Sequence, residues 1–394
     1  MKGSSPERIY LDNAATSWPK PESVYVAMDR YQREIGAAAG RGGHVEAIAA
    51  REIVEATRRD VANWIGVRDS RHLIFALNGT DALNIAIHGA LADGGHVVTT
   101  VVEHNSVLRP LVALEDAGRV AVTRVHCDAD GVIDPADVRR ALRADTRLVV
   151  MSHASNVTGA IQPAAEVGQI VHDHGALFLL DAAQTIGEIP LDVEQLQVDL
   201  LAAPGHKGLL GPLGTGLLYL RPTVAEHLPS FRQGGTGSHS ERDRQPDELP
   251  DKYEAGNMNV PGIAGLGAGV RWLQAQGIES IRERGIELTR QLLAGLSALA
   301  GVRVYGPEGA EARVAVVSLT LKGYDPQELA TMLDTAFNVQ PRAGLHCAPH
   351  MHRALGTASG GGTLRFSLGP FNTESEVDTA VNAMTEIATQ TPVR

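Results

Sequence analysis

Short apolar runs alternate with longer amphipathic stretches along the first two thirds of the chain. The apolar runs are rich in Val, Ile and Leu and carry few polar positions, which is typical of strands buried on both faces. We predict a short strand within 9–16 and buried strands at 72–77, 97–102, 120–126, 148–152, 176–180, 198–202 and 217–220.

The stretches between these runs repeat apolar residues every three or four positions, which predicts helices. The predicted helices cover about 19–35, 45–65, 82–91, 107–117, 135–142 and 164–174. Strands that alternate with helices in this way favour a three-layer α/β domain with a mostly parallel sheet.

The pattern changes after position 230. Residues 231–259 are irregular and contain glycines and an acidic, proline-bearing stretch, so they form either an ordered excursion near the site or a subunit contact, or else a disordered linker. Beyond them we predict helices at 261–277, 279–300, 326–337 and 374–389 and strands at 302–305, 314–321 and 364–368, which would form a second unit.

Composition narrows the classes of protein. A chain of 394 residues with 43% hydrophobic and 21% charged residues is ordinary for a globular protein with two or three domains. The net charge of −11 is spread along the chain, which argues against a nucleic-acid partner, because phosphate binding requires a basic face.

No apolar run approaches the ~20 residues of a membrane span and no signal peptide is evident, so we expect a cytoplasmic protein. The two cysteines, Cys127 and Cys347, exclude a disulfide framework.

Polar residues follow several of the predicted strands. The carboxyl ends of parallel strands are where ligands bind in such sheets. The residues in question are Glu103-His104-Asn105, His153-Ala154-Ser155-Asn156, Asp181-Ala182-Ala183-Gln184 and His206-Lys207.

Asn78-Gly79-Thr80-Asp81 lies between a strand and a helix. Its backbone N–H groups and the Thr80 hydroxyl could cradle a phosphate, and the same residues could serve only to cap the helix.

Lys207 is set between apolar runs and beside glycines. Burial would lower its pKa and free the amine for Schiff-base chemistry, whereas a lysine in a surface turn would keep its charge. Asp181 ends an apolar strand, and a buried carboxylate requires a cation or a donor, such as a protonated pyridine nitrogen. A lysine and an aspartate used in this way are the pattern of pyridoxal-phosphate enzymes.

Ten motifs in order extend this pattern over nearly the whole chain. They are YLDNAAT at 10–16, RGGH at 41–44, NGT at 78–80, EHN at 103–105, SNVTG at 155–159, DAAQ at 181–184, GHK at 205–207, EAGN at 254–257, RAGLHC at 342–347 and LRFS at 364–367. With them the chain resembles the class V aminotransferase family of pyridoxal-phosphate fold-type-I enzymes, and within it the cysteine desulfurases of the group II, selenocysteine lyase-like branch.

The resemblance implies an aspartate aminotransferase-like architecture. Residues 21–262 would form a large cofactor-binding domain with a mostly parallel mixed sheet, and residues 1–20 with 263–394 a smaller α/β domain. It also implies a homodimer with a shared active site.

The resemblance implies a role for each matched residue. Lys207 would form the Schiff base and shuttle protons, Asp181 would hold the ring nitrogen, and His104 would stack on the ring. The other residues implied to hold the cofactor are Gly79, Thr80, Asn156, Gln184, His206 and, from the second subunit, Asn257. The residues implied to bind the substrate are Asn13, His44, Arg342 and Arg365, with Arg365 clamping its carboxylate.

Cys347 would attack the substrate sulfur. Arg342, His346 and Arg365 are candidates to supply the positive charge that favours its thiolate. The implied reaction converts L-cysteine to L-alanine and leaves a persulfide on Cys347, with a sulfur-acceptor protein as a further partner; Cys127 is predicted to be inert.

Two alternatives stay open. One is a pyridoxal-phosphate-dependent C–S or C–Se lyase or β-eliminase, in which Cys347 is unnecessary, and the other is a catalytically silent binding protein for sulfur trafficking.

A nicotinamide cofactor is disfavoured because the glycines of 265–269 follow no strand. No metal is expected, because His346, Cys347, His350 and His352 lack further ligands. Pro204 and Asn257 depart from the residues that many relatives carry at the phosphate site.

Overall fold

The computed structural model describes residues 8–40, 42–239 and 241–389. The strands are β1 (Ile9–Tyr10), β2 (Leu73–Ala76), β3 (Gly95–Thr100), β4 (Val120–Val125), β5 (Thr146–Ser152), β6 (Leu177–Asp181), β7 (Leu200–Pro204), β8 (Gly216–Leu220), β9 (Val302–Tyr305), β10 (Val316–Leu321), β11 (Val339–Gln340), β12 (Arg342–Gly344) and β13 (Thr363–Ser367). The helices are α1 (Glu22–Arg30), α2 (Val45–Trp64), α3 (Gly79–Ala90), α4 (Asn105–Asp116), α5 (Pro135–Ala141), α6 (Ala164–His174), α7 (Pro222–Ala225), α8 (Val260–Gln276), α9 (Ile278–Ser297), α10 (Pro326–Phe337), α11 (Pro349–Ala354) and α12 (Glu374–Thr389).

The largest sheet has seven strands in the order β2-β8-β7-β6-β5-β3-β4. Strands β3 to β7 pair in parallel, and β8 runs antiparallel to both β7 and β2. The connection from β7 to β8 carries His206 and Lys207, so the catalytic candidate lies where the chain reverses at the edge of the parallel part.

Both faces of this sheet are buried. In β6, Phe178 and Leu180 pack into the cluster with α2, α5, α6 and α8, whereas Leu179 packs into the cluster with α3 and α4. This alternation explains why the strands read as unbroken apolar runs, and each buried side chain of this kind contributes about 1.5–3 kcal/mol. The three layers and the mostly parallel mixed sheet confirm the predicted fold class.

A second unit is built on an antiparallel sheet in the order β12-β13-β10-β9. Its core combines this sheet with α9, α10 and α12. The amino-terminal strand β1 pairs in parallel with β11, and Leu11 is buried in the same core, so the start of the described chain packs with its carboxyl-terminal part.

Helix α8 belongs to the core of the large sheet as far as Leu273. The core of the second unit begins with residues of α9, such as Leu288. We therefore propose that the boundary between the two units lies near Gly277 and not at residue 262.

The irregular segment 231–259 makes buried contacts where the structure describes it, which excludes Ser240. Tyr253 is 1% exposed and donates a 2.7 Å hydrogen bond to the carbonyl oxygen of Leu228. Glu254 forms a buried ion pair with Arg58 of α2, with an N–O distance of 2.6 Å. These contacts fit an ordered excursion and contradict a disordered linker.

The structure differs from the prediction in its short strands. The predicted strand within 9–16 is limited to β1, because residues after Leu11 turn towards the large sheet. Strands β11 and β12 contain two and three residues and were not predicted. Within the described ranges, no helix combines the length and apolar character that crossing a membrane requires.

Candidate active site

A cavity of ≈ 360 Å³ opens at the carboxyl ends of β5, β6 and β7. It brings together predicted site residues from the ends of the large sheet's strands and from β12 and β13 of the second unit. The predicted residues that line it are Gly79, Thr80, His104, Asn156, Asp181, Gln184, His206, Lys207, Arg342 and Arg365.

Lys207 is the titratable amine of this cavity. Burial lowers its pKa to about 8; the charge of Asp181 acts in the opposite direction, and Arg365 and Arg342 lower the pKa further. About a tenth of such an amine is uncharged at pH 7, far more than for a lysine in water. The prediction of a buried, reactive lysine is therefore supported by its surroundings.

Asp181 is the last residue of β6 and is 5% exposed. Its Oδ1 accepts a 2.9 Å hydrogen bond from the amide of Ala183. Burial raises its pKa, whereas the Ala183 amide and the charge of Lys207 lower it. A carboxylate has room for about four such bonds, so Asp181 retains acceptor capacity for a donor or a cation in the cavity.

His104 caps the amino terminus of α4. Its Nδ1 lies 3.0 Å from the amide nitrogen of Ser106 and accepts that hydrogen bond, so in the neutral ring Nε2 carries the proton. Burial, followed by the charge of Lys207, lowers the pKa of His104 to about 4. The ring is therefore neutral at pH 7 and held in one orientation.

The start of α3 forms another part of the cavity wall, with Asn78, Gly79 and Thr80. Asn78 caps the helix by accepting a 2.9 Å bond from the amide of Asp81, which leaves the first amides of α3 open to an anion. A Cβ on Gly79 would lie 3.1 Å from Cδ of Pro204, so only glycine leaves the cradle its present width. The buried Nδ1 of His206 has no partner among the described residues.

Arg365 joins the two units. It is 1% exposed, donates from Nη1 to the carbonyl of Asn156 at 3.0 Å and from Nη2 to Oδ1 of Asp12 at 2.7 Å. Within the described chain its Nε has no partner. Since a guanidinium has five N–H donors, Arg365 can still bind a carboxylate in the cavity.

Arg342 of β12 lies directly opposite Arg365 of β13 in the sheet register. Two cations side by side repel each other, and an anionic ligand would relieve this repulsion. This wall of the cavity is therefore suited to a carboxylate.

Cys347 lies at the edge of the cavity and is not part of its lining. Its thiol is half-buried, and its carbonyl oxygen accepts a 2.7 Å hydrogen bond from the amide of Asn105. The preceding residue, His346, lines the cavity, and its carbonyl accepts a 2.5 Å bond from Nδ2 of Asn156. His346 and Cys347 have φ angles of 46° and 59°, a conformation that residues with a Cβ rarely adopt.

The suggestion that His346 supplies positive charge to Cys347 is wrong. Burial, followed by the charge of Arg365, holds its pKa well below the ordinary value. The neutral ring places Nε2 3.1 Å from the carbonyl of Thr363, to which it donates. The positive charge within electrostatic range of Cys347 is that of Arg365.

Besides Cys347, three predicted residues do not line the cavity of this chain. Asn13 is buried, and its Nδ2 donates to the carbonyl oxygen of Ser367 at 3.1 Å; it lines a separate small pocket beside Lys207 and Gln184. His44 is exposed, caps α2 and pairs with Glu46 at 3.0 Å. Asn257 is exposed and lines a smaller cavity. Arg41 of the RGGH motif lies outside the described residues.

Sequence reasoning missed Asp12 and Ser152. Asp12 pairs with Arg365, and Ser152 lines the cavity as the neighbour of Asp181 in the sheet register. Both stand at the end of an apolar run in the sequence, and that position could have identified them as site residues.

No group of three or more metal-ligating side chains is found in residues 8–40, 42–239 and 241–389.

Comparison with known proteins identifies the family of this chain. The model of the family described as Aminotransferase class-V matches residues 9–380. A protein named probable cysteine desulfurase from Methanothermobacter thermautotrophicus is 36% identical over 386 residues, covering 97% of this chain and 95% of that protein.

Solved structures show the same likeness. The apo structure of a cysteine desulfurase from Thermococcus onnurineus superposes with a TM-score of 0.90 at 33% identity, covering 97% of this chain and 94% of that chain. The structure of the cysteine desulfurase CsdA from Escherichia coli, in an S-sulfonic acid form, has a TM-score of 0.84 at 28% identity and the same two coverages. The family predicted from the motifs is thereby confirmed: the chain belongs to the class-V aminotransferase family.

Proposed function

We propose that this protein is a pyridoxal-phosphate-dependent cysteine desulfurase, which converts L-cysteine to L-alanine and holds the removed sulfur as a persulfide on Cys347. The observation that carries the proposal is that Lys207, Asp181 and Arg365 meet in one cavity and the loop with Cys347 forms its edge. The names of the relatives point to the same activity.

The residues of the cavity fit pyridoxal phosphate at three places. Asp181 is a buried carboxylate with free acceptor capacity, which suits a protonated ring nitrogen. The amides at the start of α3, the narrow cradle at Gly79 and Nδ1 of His206, which no described residue contacts, suit a phosphate. Lys207 supplies an amine with a lowered pKa that suits an aldehyde.

When bound, pyridoxal phosphate withdraws electrons from the α-carbon of an amino acid and makes the bonds around it labile. Lys207 is the base that would take the α-proton and return it. Arg365 and Arg342 would bind the substrate carboxylate and orient the amino acid. His104 would cover the ring as a neutral group, so that it adds no charge there.

Cys347 would complete the reaction. Its thiolate attacks the substrate sulfur, so a bond forms between the two sulfur atoms and the bond from that sulfur to the β-carbon breaks. The electron pair goes to the β-carbon, which takes a proton and becomes the methyl group of alanine. The cationic side chain of Arg365 lies within electrostatic range of Cys347.

We further propose a homodimer with a shared active site. His44 and Asn257 are exposed in this chain, so they would have to act on the cavity of a second copy. Leu77 and Leu213, which are 58% and 68% exposed near the two cavities, would be covered in such a dimer. A protein that accepts the sulfur from Cys347 would be a further partner.

The test is to incubate the purified protein with L-cysteine and measure alanine and the mass of the peptide that contains Cys347. We expect alanine and a gain of one sulfur atom on Cys347, both lost in Cys347→Ala and both kept in the matched control Cys127→Ala. Undiminished alanine from Cys347→Ala would favour the lyase alternative. No cofactor absorbance and no change on adding cysteine would favour the silent binding protein.

A further inference from the structure

Glu103 is a buried carboxyl group that the proposed reaction does not use. It is 0% exposed and lies three residues after the end of β3, one residue before His104. Its Oε1 accepts hydrogen bonds from Oγ1 of Thr100 at 2.7 Å and from the amide of Ser152 at 3.1 Å, and its Oε2 accepts from Oγ of Ser152 at 2.8 Å. All these partners are neutral donors.

Ser152 connects Glu103 to the cavity. It is the last residue of β5, lines the cavity and lies opposite Asp181 in the register of β5 and β6. Because its hydroxyl proton is donated to Glu103, the oxygen of Ser152 offers only lone pairs to the cavity. The wall formed by Ser152 and Asp181 therefore accepts hydrogen bonds and donates none from these side chains.

We propose that Glu103 is a positioning residue that directs the Ser152 hydroxyl away from the cavity and places a second negative charge behind Asp181, so that this wall selects a cationic ring nitrogen. The inference rests on the proposed function. It assigns to Glu103 and Ser152 a role in recognising the protonated form of the ring.

The charges around Glu103 support a pH-dependent effect. Burial raises its pKa to about 7, its hydrogen bonds from Thr100 and Ser152 lower it, and the charge of Asp181 raises it. A cation bound against Asp181 would favour the ionised form of Glu103, so the preference for a cationic ring grows as the pH rises through about 7.

The test uses Glu103→Gln in the full-length protein without bound cofactor. Gln keeps the size of Glu and can accept the bonds from Thr100 and from the Ser152 amide, but its NH₂ group donates to Oγ of Ser152. The hydroxyl of Ser152 is then released as a donor, and the charge is lost. Asp199→Asn is the matched control, because Asp199 is a buried carboxyl at the opposite end of β7 whose pKa is also raised by burial.

The ligand for the test is pyridoxine 5′-phosphate, which lacks the aldehyde and cannot react with Lys207. We expect equal affinity of wild type and Glu103→Gln near pH 5.5 and about tenfold weaker binding by the variant near pH 8. Dividing the affinity of wild type by that of Glu103→Gln at each pH removes the effect of titrating groups that both proteins and the ligand have in common. The ratio should stay near one for the analogue in which CH replaces the ring nitrogen, and Asp199→Asn should bind like wild type.

A second readout needs no ligand. A carboxyl whose folded-state pKa is raised stabilises the fold below its ordinary pKa, and this stabilisation is lost as the pH rises through the folded pKa of about 7. The unfolding temperature of wild type should therefore fall relative to that of Glu103→Gln as the pH rises from about 4.5 to about 7, so that the variant gains relative stability by pH 8.

The outcomes separate the two proposals. If wild type binds neither compound, the proposed function is wrong, and the selection of a cationic ring falls with it. If wild type binds but the affinity ratio is the same at both pH values, or the CH analogue shows the same loss, the role of Glu103 is wrong and the proposed function stands. Equal unfolding temperatures at both pH values would also contradict a buried charge at Glu103.

Discussion

The amide of Asn105 donates a 2.7 Å hydrogen bond to the carbonyl oxygen of Cys347. Asn105 is the first residue of α4, so its amide has no partner within the helix. The helix that begins beside His104 therefore holds the loop that carries the thiol. Since His346 and Cys347 both have positive φ angles, this loop requires such fixed points to keep its conformation.

Replacing Asn105 by Pro removes this hydrogen bond and leaves the helix intact. Proline is tolerated at the first helical position, and His104, with φ −72° and ψ 156°, already has the conformation of a residue before proline. We expect alanine formation to fall about fivefold and alkylation of Cys347 by iodoacetamide to rise by a similar factor, since one hydrogen bond contributes about 1 kcal/mol. The control Asn105→Ala keeps the amide and should behave like wild type. Equal losses in both variants would assign the effect to the side chain.

Lys207 should be unusually reactive in the protein without cofactor. Only the uncharged amine attacks an aldehyde, so labelling should rise with pH around an apparent pKa of about 8. Asp181→Asn removes the negative charge that raises this pKa, so the midpoint should move to lower pH. The measurement is reductive labelling with a small aldehyde, with the modified peptide quantified by mass spectrometry. Labelling of Lys207 that follows the same pH dependence as the exposed Lys322 would contradict a buried amine.

Much of the large domain could be predicted because its strands are buried on both faces. An apolar run that ends in Asp181 or Glu103 shows both where a strand ends and where polar atoms meet a ligand. Helices α6, α10 and α12 have the predicted bounds, because their apolar periodicity ends together with the helix. Lys207 and Asp181 could be predicted as site residues because each lies at or just beyond the end of such a strand.

The remaining features depend on contacts between distant parts of the chain. The side chain of Asn13 is held by Ser367, 354 positions away, and no local pattern in the sequence shows this contact. The neutrality of His346 follows from its burial beside Thr363 and Arg365, which the sequence does not show. His44 and Asn257 lie at the surface of one chain, so their predicted roles depend on a second copy.

Gly79 should be required for binding the cofactor. In Gly79→Ala the new Cβ would lie 3.1 Å from Cδ and 3.2 Å from N of Pro204, so the start of α3 or the end of β7 must shift by a few tenths of an ångström. We expect pyridoxal phosphate to bind about tenfold more weakly, because the amides at the helix start no longer match the phosphate. Fluorescence titration of the apoprotein measures this. The control is Gly285→Ala in α9, where the nearest atom is 3.9 Å away and the helix should gain up to about 1 kcal/mol. Wild-type affinity in Gly79→Ala would show that the phosphate binds elsewhere.

The pair of Arg58 and Glu254 should stabilise the segment around residue 254 strongly. The two side chains are 1% and 4% exposed, and the carboxylate accepts from Nη1 and Nη2 of Arg58 at 2.6 and 2.9 Å and from the amide of Phe75 at 2.6 Å. Glu254→Gln keeps an acceptor for Phe75 but leaves the buried Arg58 cation with only the half-exposed Glu55, 3.3 Å from its Nε, as a counter-charge. We expect the free energy of unfolding in urea to fall by about 3–5 kcal/mol.

A double-mutant cycle separates this charge effect from lost packing. Arg58→Met combined with Glu254→Leu removes both charges and keeps apolar volume, so the double variant should be more stable than the sum of the two single changes implies. Proteolysis within 231–259 should increase in each single variant and less in the double variant, because the segment is attached to β2 through this pair. Additive losses in the cycle, or a loss below about 1 kcal/mol in Glu254→Gln, would show that the pair behaves as an exposed one and that other contacts hold the segment.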